Sequence, residues 1–467
     1  MAIILYPDQI ELLDGVRASI RQGNKSVLMQ LMTGGGKTMI ASAMIEGSRA
    51  KGTKSIFVVP RRELLKQVSQ TLEKHGMQHS FVSSGLPFNA FAKTFIATAP
   101  SLVRRLDKVA DMNLVFIDEC HISGDGIDKI IKFYQERGAI IIGLSATPKK
   151  LSGKGMDTWF SSMVEGRSIR WLMDNKRLSD YRLFAPDMPD LSGVGNVGGD
   201  YNQGMLSDRM EQDKVLIGNA VAHYKTHAMG KLGVTYTTSR KHSEIVAEEF
   251  RKAGVPASHI DGTMKDDERA KIIGAFARRE ILQLVNCDLL TTGFDLASSA
   301  GIDVSIECMS DLQPTQSIAK QIQKWGRALR YKNFPATIFD HAGNVTRHQL
   351  PCTPREWSLQ GEKKGNREGV EKAVAVSSCP RCYFVAKPFI ICPNCGHKHE
   401  VRSREIEQVE GELIEVSAKD LLKNEIMERK SEQGQARNLE QLIALGKTRG
   451  MSNPRGWALN VMKARKR

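Results

Sequence analysis

Two short runs of residues could together bind and hydrolyse a nucleoside triphosphate. The first is Thr33-Gly34-Gly35-Gly36-Lys37-Thr38. Glycine N–H groups can approach phosphate oxygens closely, and Lys37 is placed to neutralise the β- and γ-phosphates of ATP. The second is Asp118-Glu119-Cys120-His121, which ends the apolar run Leu114-Val115-Phe116-Ile117. The Thr38 hydroxyl and Asp118 can hold Mg²⁺, and Glu119 can polarise an attacking water. The strict phosphate-loop pattern asks for glycine five positions before Gly36, where this chain has Leu31. A Gly-Lys-Thr in a loop arises readily by chance. The carboxylate pair is what gives this one weight.

A third cluster has metal-ligand spacing. Cys379-Pro-Arg-Cys382 and Cys392-Pro-Asn-Cys395 form two CxxC pairs, with nine residues between Cys382 and Cys392. Four thiolates can close a tetrahedral Zn²⁺ site, as in a compact zinc ribbon, and Gly396 suits the tight turn. With four protein ligands such a zinc is structural. The competing readings are an iron–sulfur cluster and a redox dithiol. His397 and His399 could replace a ligand but read as surface residues. The other cysteines, Cys120, Cys287, Cys308 and Cys352, are scattered, unlike the disulfide framework of a small secreted chain.

The elements that would position these groups alternate. Val27–Leu31 reads as a buried strand ending at the glycine loop. Met39–Met44 opens a helix whose N-terminus faces the phosphates. Further apolar runs at Ser55–Val59, Phe95–Thr98, Leu114–Ile117 and Ile140–Leu144 are separated by helical patterns such as Arg62–His75 and Ile127–Arg137. This alternation predicts an α/β domain with a parallel sheet over residues 1–149. A mixed segment, 150–178, reads as an interlobe connector. A second α/β domain is expected over 179–350. Its strand candidates are Leu232–Tyr236, Leu282–Val285, Val304–Glu307 and Ala336–Phe339. Its helix candidates are Lys241–Ala253, Asp266–Arg279 and Thr315–Leu329. Asp187–Gly204 reads as a flexible loop. Its Gly193-Val194-Gly195-Asn196-Val197-Gly198 matches a dinucleotide fingerprint but lacks the strand and helix that fingerprint requires. Gln360–Glu371 reads as a linker, 376–400 as the zinc ribbon, and 401–467 as a mostly helical, basic tail.

Composition narrows the class. At 467 residues the chain exceeds one ordinary core, and 41% apolar content argues for packed domains. No apolar stretch approaches membrane-spanning length, and the start lacks a basic region before its short apolar run. The expectation is a cytoplasmic protein of a bacterium or a phage-infected cell. A formal net charge of +15 favours a polyanionic partner, with nucleic acid the obvious one. The tail has no acidic residue after Glu440 but carries Lys447, Arg449, Arg455, Lys463, Arg465, Lys466 and Arg467, with Trp457 among them. That suits phosphate contact with base stacking on Trp457, or equally a solvated helix with a packed indole.

In order along the chain, further motifs resemble those of the superfamily 2 helicases, over about residues 1–345. Tyr6-Pro7-Asp8-Gln9 resembles the N-terminal glutamine motif, which implies that Gln9 reads adenine. Thr33–Thr38 matches motif I, with Thr33, Gly34, Gly35, Gly36, Lys37 and Thr38 around the nucleotide. Pro60-Arg61-Arg62-Glu63-Leu64 and Thr98-Ala99-Pro100 resemble motifs Ia and Ib, implying nucleic-acid contact by Arg61 and Thr98. Asp118–His121 is motif II in its DECH form, and Ser145-Ala146-Thr147 is motif III. Thr235–Ser239 resembles motif IV. Thr291-Thr292-Gly293-Phe294-Asp295 resembles motif V, placing Thr292 at nucleic acid and Gly293 and Asp295 at nucleotide. Gln323-Lys324-Trp325-Gly326-Arg327-Ala328-Leu329-Arg330 matches motif VI. The spacing alone sets Gln323, Arg327 and Arg330 on one helical face, and a guanidinium suits charge developing on a transferring phosphoryl group.

The resemblance implies two tandem RecA-like domains closing on ATP and Mg²⁺ and an ATP-dependent DNA helicase or translocase, acting on single-stranded, duplex or branched DNA. Gln323 stands where many DEAD-box RNA helicases have histidine, which favours DNA. The alternatives are an RNA helicase, and an ATP-gated binding switch or annealing factor with little unwinding.

Overall fold

In the computed structural model, residues 3–122, 124–150, 155–185, 189–287, 289, 304–361, 376–398, 436, 438–448 and 453–465 are described. The chain divides into two compact units, Met1–Glu400 and Val401–Arg467.

The first lobe of the larger unit is built on seven strands: β1 (Ser26–Gln30), β2 (Ser55–Val59), β3 (Ser80–Val82), β4 (Thr94–Thr98), β5 (Leu114–Asp118), β6 (Ile140–Ser145) and β7 (Ser162–Glu165). They are ordered β3-β4-β2-β5-β6-β1-β7, and every pairing is parallel. Helices α1 (Pro7–Arg21), α2 (Lys37–Ala50), α3 (Arg62–Lys74), α4 (Ala99–Val103) and α5 (Asp125–Glu136) provide the connections. A parallel sheet needs cover on both faces, so its strands are continuously apolar. Along β2, Ile56 and Val58 enter one core, while Phe57 and Val59 enter the other. Part of the segment expected to be a connector, Ser162–Glu165, instead adds β7 beside β1. This polar, four-residue edge strand carries almost no sequence signal.

After β7 comes α6 (Ile169–Asp174). It ends in a paired turn: Arg177 N donates to Leu172 O at 2.7 Å, and Lys176 N to Met173 O at 3.0 Å. Lys176 holds the left-handed position (φ 55°) that glycine usually fills there.

The second lobe has β8 (Tyr181–Phe184), a β9–β10 hairpin (Asn196–Val197, Asp200–Tyr201), β11 (Gly233–Thr237), β12 (Ala257–Ile260), β13 (Gln283–Cys287), β14 (Cys308–Asp311) and β15 (Ala336–Asp340). Its helices are α7 (Gln203–Gln212), α8 (Lys214–His227), α9 (Arg240–Lys252), α10 (Asp266–Ala277), α11 (Ile318–Ala328) and α12 (Asn344–His348). The sheet runs β12-β13-β11-β14-β15-β8 in parallel. It continues antiparallel through β17 (Phe384–Ala386) and β16 (Ser377–Ser378).

Three expectations need correcting here. The strand expected at Val304–Glu307 lies at Cys308–Asp311. Val304 and Ile306 are core residues outside the ladder, and Glu307 accepts from Leu232 N at 2.8 Å. The region around the dinucleotide-like glycines forms a hairpin turning at Gly198 and Gly199, followed by α7, in place of a flexible loop. The cysteine module is not appended to the lobe but extends its sheet: Phe384 pairs with Phe184 and Val385 with Leu183, and Val385 joins the second-lobe core.

Polar β14 is possible because its groups are satisfied. The Asp311 carboxylate accepts from Lys324 Nζ at 2.8 Å, Gln321 Nε2 at 3.0 Å and Asn344 Nδ2 at 3.0 Å. Lys324 and Asp311 are both buried, so the pair pins α11 to the sheet. A strap, Leu350–Gly361, then crosses between the lobes. Trp357 packs on the second-lobe core and Leu359 on a first-lobe core. The Leu359 carbonyl accepts from Met156 N (2.6 Å) and Asp157 N (3.0 Å), directly over Gly155, where a side chain would strike it.

The smaller unit contains α13 (Leu439–Thr448) and α14 (Pro454–Arg465). Asn438 and Asn453 side chains cap them, accepting from Gln441 N and Gly456 N at 2.9 Å each. Among the described residues, no helix is long and apolar enough to cross a membrane.

The buried ion pair yields a stability prediction. Lys324→Met leaves the Asp311 carboxylate without its cation and should cost about 3–5 kcal/mol, read by urea unfolding. An unchanged midpoint would show that Gln321 and Asn344 suffice to hold Asp311.

Candidate active site

The carboxyl ends of β1, β6 and β5 lie side by side, the place where open parallel sheets put ligands. The register sets Gln30 opposite Ser145, and Asp118 opposite Leu144. From these ends emerge the glycine loop, Ser145-Ala146-Thr147, and Glu119-Cys120-His121. The loop is made by its glycines: Gly34 (φ 89°) and Gly36 (φ 92°) are left-handed, and a side chain at Gly36 would collide with the Gln9 amide. Leu31, standing where the pattern asks for glycine, is buried, and a Cβ at Gly35 or at Gly166 would lie 2.7 Å from its side chain. Glycines at those two positions make room for it.

Gln9 is buried with both ends of its amide engaged. It donates to Gly35 O and accepts from Tyr6 N, each at 3.0 Å. Lys37 opens α2 and reaches Glu119 Oε1 at 3.5 Å. Thr38 follows, partly buried in the first turn of α2. Asp118 Oδ1 accepts from Glu119 N at 3.0 Å. Glu119 itself is left-handed (φ 45°), a conformation costing a non-glycine residue roughly 1–3 kcal/mol. His121 Nδ1 lies 2.9 Å from Ser145 Oγ and 3.4 Å from Glu119 Oε2, joining the DECH segment to the β6 loop.

Across the cleft, α11 presents buried Gln323 and Arg327, with partly buried Arg330 just beyond its end. Contact is close: a Cβ on Gly326 would sit 2.7 Å from Thr33 Cβ and 3.1 Å from its carbonyl. A Cβ on Gly34 would meet Leu178 at 3.4 Å and the Arg330 stem at 3.8 Å.

Electrostatics follow from burial. Burial, then the neighbouring Glu119 charge, pushes the Asp118 carboxyl up to about 7, against the pull of Lys37. Burial also acts on Glu119, but Lys37, His121 and Arg327 together hold its carboxyl below the ordinary value. Burial lowers His121, opposed by Glu119. Two adjacent carboxyls, half-buried Asp118 and buried Glu119, offer hard oxygen donors that suit Mg²⁺. Beyond its long ion pair with Glu119, Lys37 Nζ has no hydrogen-bond partner among the described residues, and neither do the buried Thr33 Oγ1 and Thr147 Oγ1, so all three can donate to phosphate oxygens.

The comparisons with known proteins fit this geometry. Residues 2–150 match the family described as the res subunit of type III restriction enzymes, and residues 217–332 match the helicase conserved C-terminal domain. The chain carries the paired motor domains of a superfamily 2 helicase. A 51.5 kDa protein of Lactococcus phage (isolate 7-9) is 29% identical over 407 residues, 86% of this chain and 85% of that protein. A Saccharomyces cerevisiae protein named as ATP-dependent helicase IRC3 is 28% identical over 349 residues, 70% of this chain, and the chain spans 50% of its length. A solved fragment of an HsdR subunit of a type I restriction enzyme from Vibrio vulnificus YJ016 shares the fold, with TM-score 0.55 and 18% identity, covering 73% of this chain and 65% of that one. These domains make the protein an ATPase of helicase type, using ATP and Mg²⁺.

Other expected positions of this helicase are placed as follows. Arg61 is exposed at the N-terminus of α3, and Thr98 is buried at the end of β4. Thr292, Gly293 and Asp295 lie outside the described residues, as do Arg449, Lys466, Arg467 and His399. Trp457 packs into the core of the α13–α14 pair, and its ring is 3.2 Å from a Cβ built on Gly446. Of the two readings of that indole, the packed one is what the helical pair displays.

The four cysteines converge. Their sulfurs lie within 4.8 Å of one another, with Cys379–Cys395 and Cys382–Cys392 at 3.7 Å. Thiolates about 2.3 Å from a tetrahedral ion are about 3.8 Å apart. Asn394 links them to the lobe: its Nδ2 donates to Cys382 Sγ at 3.4 Å and its Oδ1 accepts from Arg182 on β8.

Sequence reasoning missed the residues that hold these groups, including Asp8, Arg177, Ser179 and Lys332. Asp8 stands in the glutamine-like motif, but only Gln9 was given a role there, and the other three show no pattern before folding.

Gly326 allows a sharp test. Gly326→Ala strengthens a helix interior by roughly 0.5–1 kcal/mol but wedges the lobes apart at Thr33. ATPase kcat should fall by up to ~10²-fold while the melting temperature holds or rises. Unchanged turnover would mean that this contact is not part of the hydrolysing state.

Proposed function

We propose that this helicase is a DNA translocase that remodels DNA, including forked or branched DNA, by hydrolysing ATP between its lobes. One observation carries the reading: α11 meets the glycine loop, Gly326 lying against Thr33, which brings the helix of Arg327 to the loop whose Lys37 reaches Glu119. In this reading Lys37 binds the β- and γ-phosphates. Mg²⁺ on Thr38 and Asp118 supplies charge neutralisation there. Glu119 orients water and takes its proton as the water oxygen bonds to the terminal phosphorus and the bond to the ADP oxygen breaks. Arg327, with Gln323 on the same helix and Arg330 just past its end, stabilises the charge that develops. Hydrolysis then requires a closed cleft, and release of phosphate lets it open. The +15 charge favours a nucleic-acid partner, and Gln323 at the position where many DEAD-box RNA helicases have histidine, with the DECH form of the carboxylate motif, favours DNA. Arg61 and Thr98, with Thr292, are assigned to the backbone of the strand.

Glu119→Gln should retain ATP and lose at least ~10²-fold in kcat, while Lys37→Ala should fail to bind it. ATPase and strand displacement should be measured side by side with single-stranded, duplex and forked DNA and with RNA. Stimulation by DNA with displacement supports the reading. Stimulation by RNA alone assigns the motor to RNA, and stimulation without displacement assigns an ATP-gated switch.

We further propose that Cys379, Cys382, Cys392 and Cys395 hold a structural zinc, supported by the sulfur spacing. Because β17 is a strand of the second lobe's sheet, Cys379→Ser should release about one zinc per chain and lower the melting temperature of that lobe. A metal-free, fully folded wild type, or an iron chromophore, would refute this.

A further inference from the structure

Three consecutive residues, Arg177, Leu178 and Ser179, join the Tyr6–Gln9 segment to the arginine helix; we take that segment, from its resemblance to the glutamine motif, as the side on which the base of ATP lies. Arg177 grips the first lobe twice. Its Nε donates to Asp8 Oδ1 at 3.1 Å, and its guanidinium lies over the Tyr6 ring, 3.5 Å from the centroid. The Asp8 carboxylate is only 4% exposed, so this ion pair escapes most solvent screening. Tyr6 is the N-cap of α1 and Asp8 lies in its first turn, where Gln9 binds Tyr6 N and the glycine loop.

The next two residues grip the second lobe. Leu178 forms an antiparallel bridge with Arg330. Ser179 N donates to Leu329 O at 2.9 Å, and Ser179 Oγ donates to Arg330 O at 3.0 Å. Lys332 completes the knot, its Nζ donating to Ala328 O at 2.5 Å and Arg330 O at 3.1 Å. The left-handed turn at Lys176 aims all three residues. The Arg177 side chain makes the first grip and the two residues that follow make the second; Arg177 and Leu178 share one peptide bond.

We propose that Arg177 is a positioning residue that converts occupancy of the base subsite into placement of Arg327 and Arg330. The nucleotide base is then read in kcat as well as in affinity. A base settling against the Tyr6–Gln9 segment fixes Arg177 through Asp8 and the Tyr6 ring. The peptide that follows carries that position into the end of α11. Guanidinium geometry matters, because one planar group must stack on a ring and bond a carboxylate together. This rests on the assignment of hydrolysis to Lys37 and Glu119.

The test compares ATP with inorganic tripolyphosphate, which offers phosphates but no base, on full-length protein with Mg²⁺. Wild type should turn over ATP faster. Arg177→Ala should lower kcat for ATP by ~10-fold or more, change KM by less than ~3-fold, and leave tripolyphosphate turnover within ~2-fold. Arg177→Lys, which keeps the charge but not the planar stack, should fall between. Asp8→Asn should reproduce the loss, and the double variant should add little. Melting temperatures identify variants that fail to fold, and for those Arg177→Lys carries the test. A change in KM alone, or equal losses with both substrates, would overturn the proposal. Persistent ATPase in Lys37→Ala with Arg177 intact would instead overturn the hydrolysis assignment.

Discussion

The contact on which the rest depends is the meeting of charges at Glu119. Two carboxyls, half-buried Asp118 and buried Glu119, stand side by side at the end of β5, an arrangement that raises Asp118 to about 7. What keeps Glu119 ionised is not its own lobe alone. Lys37 and His121 come from the first lobe and Arg327 from the second. Arg327 is the smallest of these influences, but it is the one that arrives from the second lobe, so charges of both lobes act on this carboxylate.

Such an arrangement demands that α11 be rigid, because a guanidinium misplaced by an ångström loses most of its effect. The second lobe meets this demand from two sides. The buried Lys324–Asp311 pair holds the middle of the helix to β14, and Lys332 with Ser179 holds its end. Gly326 permits the close approach to Thr33, where any side chain would keep the lobes apart. The lobes are also joined beyond the linker. Met32 and Ala146 of the first lobe enter the second lobe's core, and the strap returns from Leu350 to seat Leu359 against the first.

The cysteine module takes part in the same lobe. Its strand β17 covers β8, which would otherwise be an open sheet edge, with unpaired backbone groups exposed. The aromatic rings of Phe184 and Phe384 meet there with centroids 5.9 Å apart, and Arg182 reaches the cluster through Asn394. A metal in this module would stabilise the scaffold that carries the arginines, at a distance from the chemistry.

Local pattern in the chain was enough for whatever depends on neighbours in sequence. Buried parallel strands are continuous apolar runs, so β2 and β5 were legible almost to the residue. The glycine loop, the DECH carboxylates, the helical spacing of Gln323, Arg327 and Arg330, and the paired cysteines are patterns of a few residues each. Their type and spacing are set by the ligand they suit. Tertiary structure alone decided the rest. Polar β14 is a strand because Lys324, Gln321 and Asn344 arrive from elsewhere to satisfy Asp311. Leu31 is tolerated in the loop because Gly35 and Gly166 leave it room. Arg177 has meaning only once Asp8, far away in sequence, is folded against it. In each case the deciding energy belongs to a contact between distant segments, and one-dimensional periodicity holds no record of such contacts.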